Sequence, residues 1–97
     1  MMVWMGNVGA DKNNPEWHLN TGAGTRTFTQ AVKFKSPMPH LPAVIVGLTH
    51  IDSSSGKDTR VQVEADNVTL EGFNAKFITW ADSQITGLGA SWIALAF

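Results

Sequence analysis

Phe73-Asn74-Ala75-Lys76-Phe77-Ile78-Thr79-Trp80, then Ala81-Asp82-Ser83-Gln84, then Ile85-Thr86-Gly87-Leu88-Gly89-Ala90-Ser91-Trp92-Ile93-Ala94-Leu95-Ala96-Phe97 make up the last quarter of this chain. The first piece is aromatic and β-branched and reads as a strand ending at Trp80. The four polar or small residues after it read as a loop, and Ala90–Phe97 reads as a second strand that closes the chain. A large flat ring therefore stands at the lip of a strand, beside a short run of hydrogen-bonding groups. That combination fits a ligand with one polar and one apolar face, such as a sugar, and it equally fits a Trp at a protein interface.

Working outward, period-2 alternation recurs. Thr27–Lys35 carries Phe28, Val32 and Phe34 in phase. Pro37, Pro39 and Pro42 then break the chain into an extended connector. Ala43–Ile51 is the most apolar run, with Val44, Val46 and Leu48 on one face and Ala43, Ile45 and Ile51 on the other. Apolar side chains on both faces suit a strand covered on both sides, so a neighbouring protomer is expected over the second face. On this phase His50 lies with Val46 and Leu48, as a strand-end or trimer-axis histidine. Asp52–Asp58 is a loop by composition, and Arg60–Asp66 alternates with Val61, Val63 and Ala65 inward. Residues 1–30 are the least patterned, punctuated by Gly6, Gly9, Asn13, Asn14 and Pro15; Trp17 is read as a plug at one end of the core and Trp92 as core. No segment shows sustained helical periodicity. The expected fold is an all-β antiparallel β-sandwich of about six strands. It is read as a single domain over 1–97, with an N-terminal strand and loops in 1–26 and the sandwich core in 27–97.

Composition narrows the function. The chain has 97 residues, enough for one core, and 43% of them are apolar. Charged residues are only 15%, with a formal net charge of -1, so the basic excess of a nucleic-acid or anionic-membrane surface is missing. No apolar run approaches the roughly 20 residues of a membrane span. Met1–Met5 lacks the charged n-region and apolar core of a signal peptide, so none is read there, and localisation stays unassigned. There are no cysteines, which fits a reducing compartment or stabilisation by contacts between protomers. His18, His40 and His50 have no zinc-ligand spacing, so neither a metal nor a cofactor is expected.

Four pieces in order, Pro42–Thr49, Arg60–Val63, Gly72–Trp80 and Ser91–Ala94, resemble the H-type lectin domain. That family includes a snail agglutinin and the C-terminal domains of the slime-mould discoidins. The resemblance runs from about Phe28 to the end. It implies a six-stranded antiparallel sandwich assembled as a homotrimer, sometimes as stacked trimers or hexamers. It also implies binding of galactose or N-acetylgalactosamine in clefts between protomers, with no metal in the site, and an extracellular or cell-surface place. Carried over by position, Arg60 matches the family's sugar-binding arginine and Trp80 the Trp of its binding loop. Ala81 falls where the snail lectin has a histidine and Thr86 where it has a tyrosine. The loop that holds the snail lectin's sugar-binding aspartate is here Asn20-Thr21-Gly22-Ala23-Gly24-Thr25, shorter and without a carboxylate.

Each candidate has two readings. Arg60, with five donors in a planar fork, suits sugar hydroxyls, or it pairs on the surface with Asp58 or Asp82. Trp80 supplies the ring for a sugar face, or it is buried core. Asp82 replaces the missing carboxylate as acceptor, or it caps its turn. Asn20 offers a weaker acceptor, and Gly22, Ala23 and Gly24 offer backbone groups and conformational freedom. His50, Asp52 and Ser53–Ser55 form no recognisable nucleophile–base–orienter set with an oxyanion hole, so an enzyme is not expected. The expected function is a lectin for terminal galactose-type sugars. The alternative is a structural trimerisation or adhesion module that has lost sugar binding.

Overall fold

The computed structural model describes residues 1–97 and contains six strands: β1 (Met2–Asp11), β2 (Arg26–Lys33), β3 (Ala43–Ser53), β4 (Gln62–Asp66), β5 (Gly72–Thr79) and β6 (Ile85–Ala96). They form two three-stranded antiparallel sheets, ordered β1-β6-β3 and β2-β5-β4. This is the expected sandwich, with β6 and β5 as the two central strands.

The core follows the alternation read from sequence. Phe28, Phe73, Ala75 and Phe77 point inward from one sheet and Val8, Leu88, Ala90, Ala94 and Ala96 from the other. Trp17 plugs one end as expected, its ring tilted against Phe28 with centroids 5.0 Å apart and its indole N–H donating to the Ile85 carbonyl at 2.9 Å. At the other end Phe34, Phe73 and Trp92 form a second aromatic group. Such pairs add about 0.5–1.5 kcal/mol each beyond area burial. Trp92 is only partly buried, sitting at the margin of the core rather than inside it. The proline-rich connector lies against the edge of the sandwich, with buried Met38 donating its amide to the Leu70 carbonyl.

Two readings need correction, the start of β6 and the face of His50. β6 begins at Ile85, five residues before Ala90, although Gly87 and Gly89 are poor strand formers. Both are paired on either side, to Asp11 and Asp52 and to Gly9 and His50, and a doubly hydrogen-bonded central strand outweighs weak local preference. The expected N-terminal strand is β1, ten residues long despite its glycines. There Gly6 serves packing, because a β-carbon on it would stand 2.9 Å from the Trp92 ring. Finally, a bulge at Thr49 shifts the register between Leu48 and His50. The phase flips, so His50 faces outward with Gly89 and bonds Asp52 at 2.9 Å, rather than following Val46 and Leu48 inward.

The outer faces of the two sheets differ in chemistry. On β2-β5-β4 the outward rows are Thr27–Ile78–Gln62, Thr29–Lys76–Glu64 and Ala31–Asn74–Asp66, mostly polar. On β1-β6-β3 they are Val3–Leu95–Ala43 and Met5–Ile93–Ile45, then Asn7–Ser91–Gly47 and the Gly-rich rows ending at Asp11–Gly87–Asp52. Met5 is 70% exposed and Ile45 62%. A shallow groove of about 340 Å³ lies over Met5, Ile45, Ser91 and Ile93. The apolar second face of β3 read from sequence is therefore present at Ala43 and Ile45 and extends across β6 and β1, but Ile51 leaves it, because beyond the Thr49 bulge it falls in phase with the inward Leu88.

Candidate functional site

Three loops meet at the end of the sandwich where β2 and β6 begin and β5 ends: Asn20–Thr25, residues 54–61, and Trp80–Gln84. Their backbones are stitched together. The Gly24 amide donates to the Ala81 carbonyl at 2.9 Å, Ser54 N–H donates to the Gln84 carbonyl at 2.9 Å, and the Gln84 side-chain amide donates to the Gly22 carbonyl at 3.0 Å.

Arg60 lies just ahead of β4, with its side chain 29% exposed. Two buried hydroxyls fix the backbone around it. Thr79 Oγ1 donates to the Arg60 carbonyl, and Ser83 Oγ donates to the Asp58 carbonyl, both at 2.6 Å. The guanidinium donates to Asp82 Oδ1 at 2.9 Å, Ser83 Oγ at 3.2 Å and Asp58 Oδ2 at 3.2 Å. Of its five N–H groups, Nε–H and one on Nη2 stay free for a ligand. The hydrogen bond from Arg60 holds the Asp82 carboxyl below its ordinary range, and the guanidinium charge adds to the effect. Asp82 keeps its second oxygen as an acceptor at the surface. It is an ion-pair partner of Arg60, so the surface pairing with Asp58 or Asp82 foreseen for Arg60 is present, with both carboxylates engaged.

Trp80 follows the last residue of β5 and is 39% exposed, so the core reading of this ring is corrected. β5 delivers Thr79 inward and fully buried, and the next residue consequently emerges at the rim. Ala81 adopts φ 57°, a left-handed conformation rare for a residue with a β-carbon. Gly22 and Gly24 share that region at φ 71° and 79°. The Gly24–Ala81 and Gln84–Gly22 bonds thus bring Gly22 and Gly24 beside the Ala81–Gln84 loop, and Asn20 and Ala23 belong to the same Asn20–Thr25 loop. Thr86 stands apart: its hydroxyl donates to the Asp52 carbonyl at 3.2 Å, and its own carbonyl accepts the Lys12 amide at 2.9 Å. Sequence reasoning missed Arg26, whose guanidinium reaches into both loops, and Ser83, which is fully buried under Arg60. An arginine two residues after a Gly-x-Gly turn was the available signal for the first; a lone loop serine offered none for the second.

The cluster presents cationic donors, a carboxylate acceptor, an exposed indole and a ring of backbone groups. That set suits a neutral polyhydroxylated ligand with one C–H face, and it contains no arrangement of nucleophile, base and oxyanion donors.

Comparison with known proteins agrees in fold and sequence. The family model described as the H-type lectin domain matches residues 29–95. A discoidin-1 polypeptide of Dictyostelium discoideum is 36% identical over 91 residues, covering 92% of this chain and 36% of that protein. The protein named ATP synthase subunits region ORF 7, from Fuscovulum blasticum, is 37% identical over 75 residues, 77% of this chain and 65% of that one. The structure of wild-type discoidin II from Dictyostelium discoideum superposes with a TM-score of 0.87 at 29% identity, over 99% of this chain and 36% of that chain. The chain thus spans about a third of the length of the discoidins it matches.

Proposed function

The chain belongs to the H-type lectin family, a family of non-enzymatic carbohydrate-binding proteins, and from that premise we propose that it is a lectin for terminal galactose or N-acetylgalactosamine. The observation that carries the reading is the Arg60–Asp82–Trp80 constellation: a held guanidinium with two free N–H groups, a carboxylate oxygen and an exposed ring at one rim. Free guanidinium donors and the carboxylate bond neighbouring hydroxyls, while the indole packs the C–H face of a pyranose. Asn20 and the backbone of Gly22, Ala23 and Gly24 complete the wall, with Ala81 leaving room where a larger side chain would close it. Thr86 is left out of the proposed wall, since its hydroxyl is engaged with the Asp52 carbonyl.

Three copies assemble through the β1-β6-β3 face. Its apolar rows around Met5, Ile45 and Ile93 are the one sheet surface that water does not favour, and the polar β2-β5-β4 face is the contrasting control. Single shallow sites bind weakly, and three on one assembly raise avidity by about 10²–10⁴-fold when they engage together. Glycan-array binding and titration with N-acetylgalactosamine test the assignment. Arg60→Ala and Trp80→Ala are each expected to remove the signal while the assembly stays intact; normal binding by both variants refutes it.

A second reading has its own observation. Asp58 and Asp82 occupy three of the five Arg60 donors together with Ser83, which suits an arginine serving as a loop anchor in an assembly module without sugar binding. A stable trimer with no glycan-array response selects that reading.

A further inference from the structure

The side chain of Arg26 makes an unusual set of contacts. It forms no ion pair with any carboxylate; instead its guanidinium is shared among four backbone carbonyls. Nε–H donates to Gly24 at 2.9 Å, Nη1 to Thr21 at 2.8 Å and more distantly to Leu19 at 3.4 Å, and Nη2 to Ala81 at 3.0 Å. Three of these oxygens belong to the Asn20–Thr25 segment and its approach, and the fourth belongs to the Trp80–Gln84 loop. The same Ala81 carbonyl also accepts the Gly24 amide at 2.9 Å. Within this small volume sit three left-handed residues, Gly22, Gly24 and Ala81. A left-handed alanine is held only where its surroundings over-determine it, and here two donors converge on its carbonyl.

We propose that Arg26 is a positioning residue for the ligand site: a four-carbonyl clamp that locks the Asn20–Thr25 loop to the Trp80–Asp82 rim and sets the wall the ligand meets. The proposal rests on the carbohydrate reading for its consequence in binding, but the clamp itself is a property of the loops. A rigid wall avoids the ordering cost that two mobile loops would impose on a weakly held ligand. Arginine is required by geometry. Its planar fork spans carbonyls on two loops, whereas a lysine ammonium carries three donors at one point and cannot bridge them.

The test is amide hydrogen exchange and N-acetylgalactosamine titration on the wild-type chain, Arg26→Lys and Arg26→Ala. Loss of the bridging bonds is expected to speed exchange at Gly24 by about tenfold or more and to weaken sugar binding by about tenfold in both variants. Exchange at Phe77 and Ala94 in the strands should not move. Unchanged exchange in the loops overturns the clamp. So does an equal rise throughout the chain, which marks Arg26 as a general stability residue, and so does full rescue by Arg26→Lys, which marks charge alone as its contribution. Loosened loops with undiminished sugar affinity overturn the positioning role. If the variants do not fold, the wild-type chain still decides: the Gly24 amide must exchange at least about tenfold more slowly than that of Gly56, another left-handed loop glycine with no such clamp. A wild-type chain that binds no sugar refutes the carbohydrate reading, while the exchange comparison continues to judge the clamp.

Discussion

Ile45→Asp tests the proposed assembly most directly. Ile45 points outward from β3 and is 62% exposed, in the same row as Met5 and Ile93. Burying an isoleucine side chain is worth about 1.5–3 kcal/mol, and close to two thirds of that remains to be gained at a contact between protomers, about 1–2 kcal/mol each. Over three protomers the loss is about 3–6 kcal/mol, or roughly 10²–10⁴ in the association constant. Desolvating a carboxylate in the seam adds several kcal/mol more per protomer. The folded protomer should hardly notice, since outward substitutions away from special features shift stability by about 0.5 kcal/mol or less. Light scattering after size exclusion should therefore show the wild-type chain as a trimer and Ile45→Asp as a folded monomer with an unchanged circular dichroism spectrum. Glycan-array signal should fall with it. Thr29→Asp places the same charge on the outward face of β2 and should leave the trimer intact. A trimeric Ile45→Asp, or an assembly broken equally by Thr29→Asp, refutes the argument from the unequal faces.

Two further outcomes follow from the site. Asp82 titrates below its ordinary 3.8 because Arg60 donates to it, so the pairing contributes fully above that pH and is lost as pH falls through the lowered value. Sugar affinity should accordingly be level from neutral pH down to the ordinary 3.8 and decline only as pH falls through the lowered value, and Asp82→Asn should flatten that acid limb while weakening binding at every pH. Ser83→Ala removes a buried hydroxyl that donates to the Asp58 carbonyl and accepts from Arg60. It should cost about 1–2 kcal/mol, lower the melting temperature by at least about 4 °C, and weaken sugar binding by loosening Arg60; an unchanged melting curve would count against the anchoring role.

Much of the sandwich was legible because alternation is a local signal. Phe28, Val32 and Phe34 in and after β2, Val61, Val63 and Ala65 at β4, and Phe73, Ala75 and Phe77 in β5 declare their faces at period two, and the structure points them inward. Arg60 and Trp80 were legible at the site through their resemblance to a known pattern, and the loop Ala81–Gln84 through its composition. The first half of β6 was not, because Gly87-Leu88-Gly89 carries no strand preference of its own.

By itself, then, the sequence determined that the chain is all-β, which residues of β2, β4 and β5 turn inward, and that β3 carries apolar groups on both faces. The tertiary structure alone decided how far β1 runs and that the glycine-rich start of β6 is strand, since their stability comes from partners far away in sequence. It alone turned His50 outward, because one extra residue at Thr49 reverses every face that follows. It also joined Arg26 to Ala81, 55 positions apart, through a carbonyl oxygen. Every residue has such an oxygen, so no side-chain pattern along the chain marks the one that Arg26 finds.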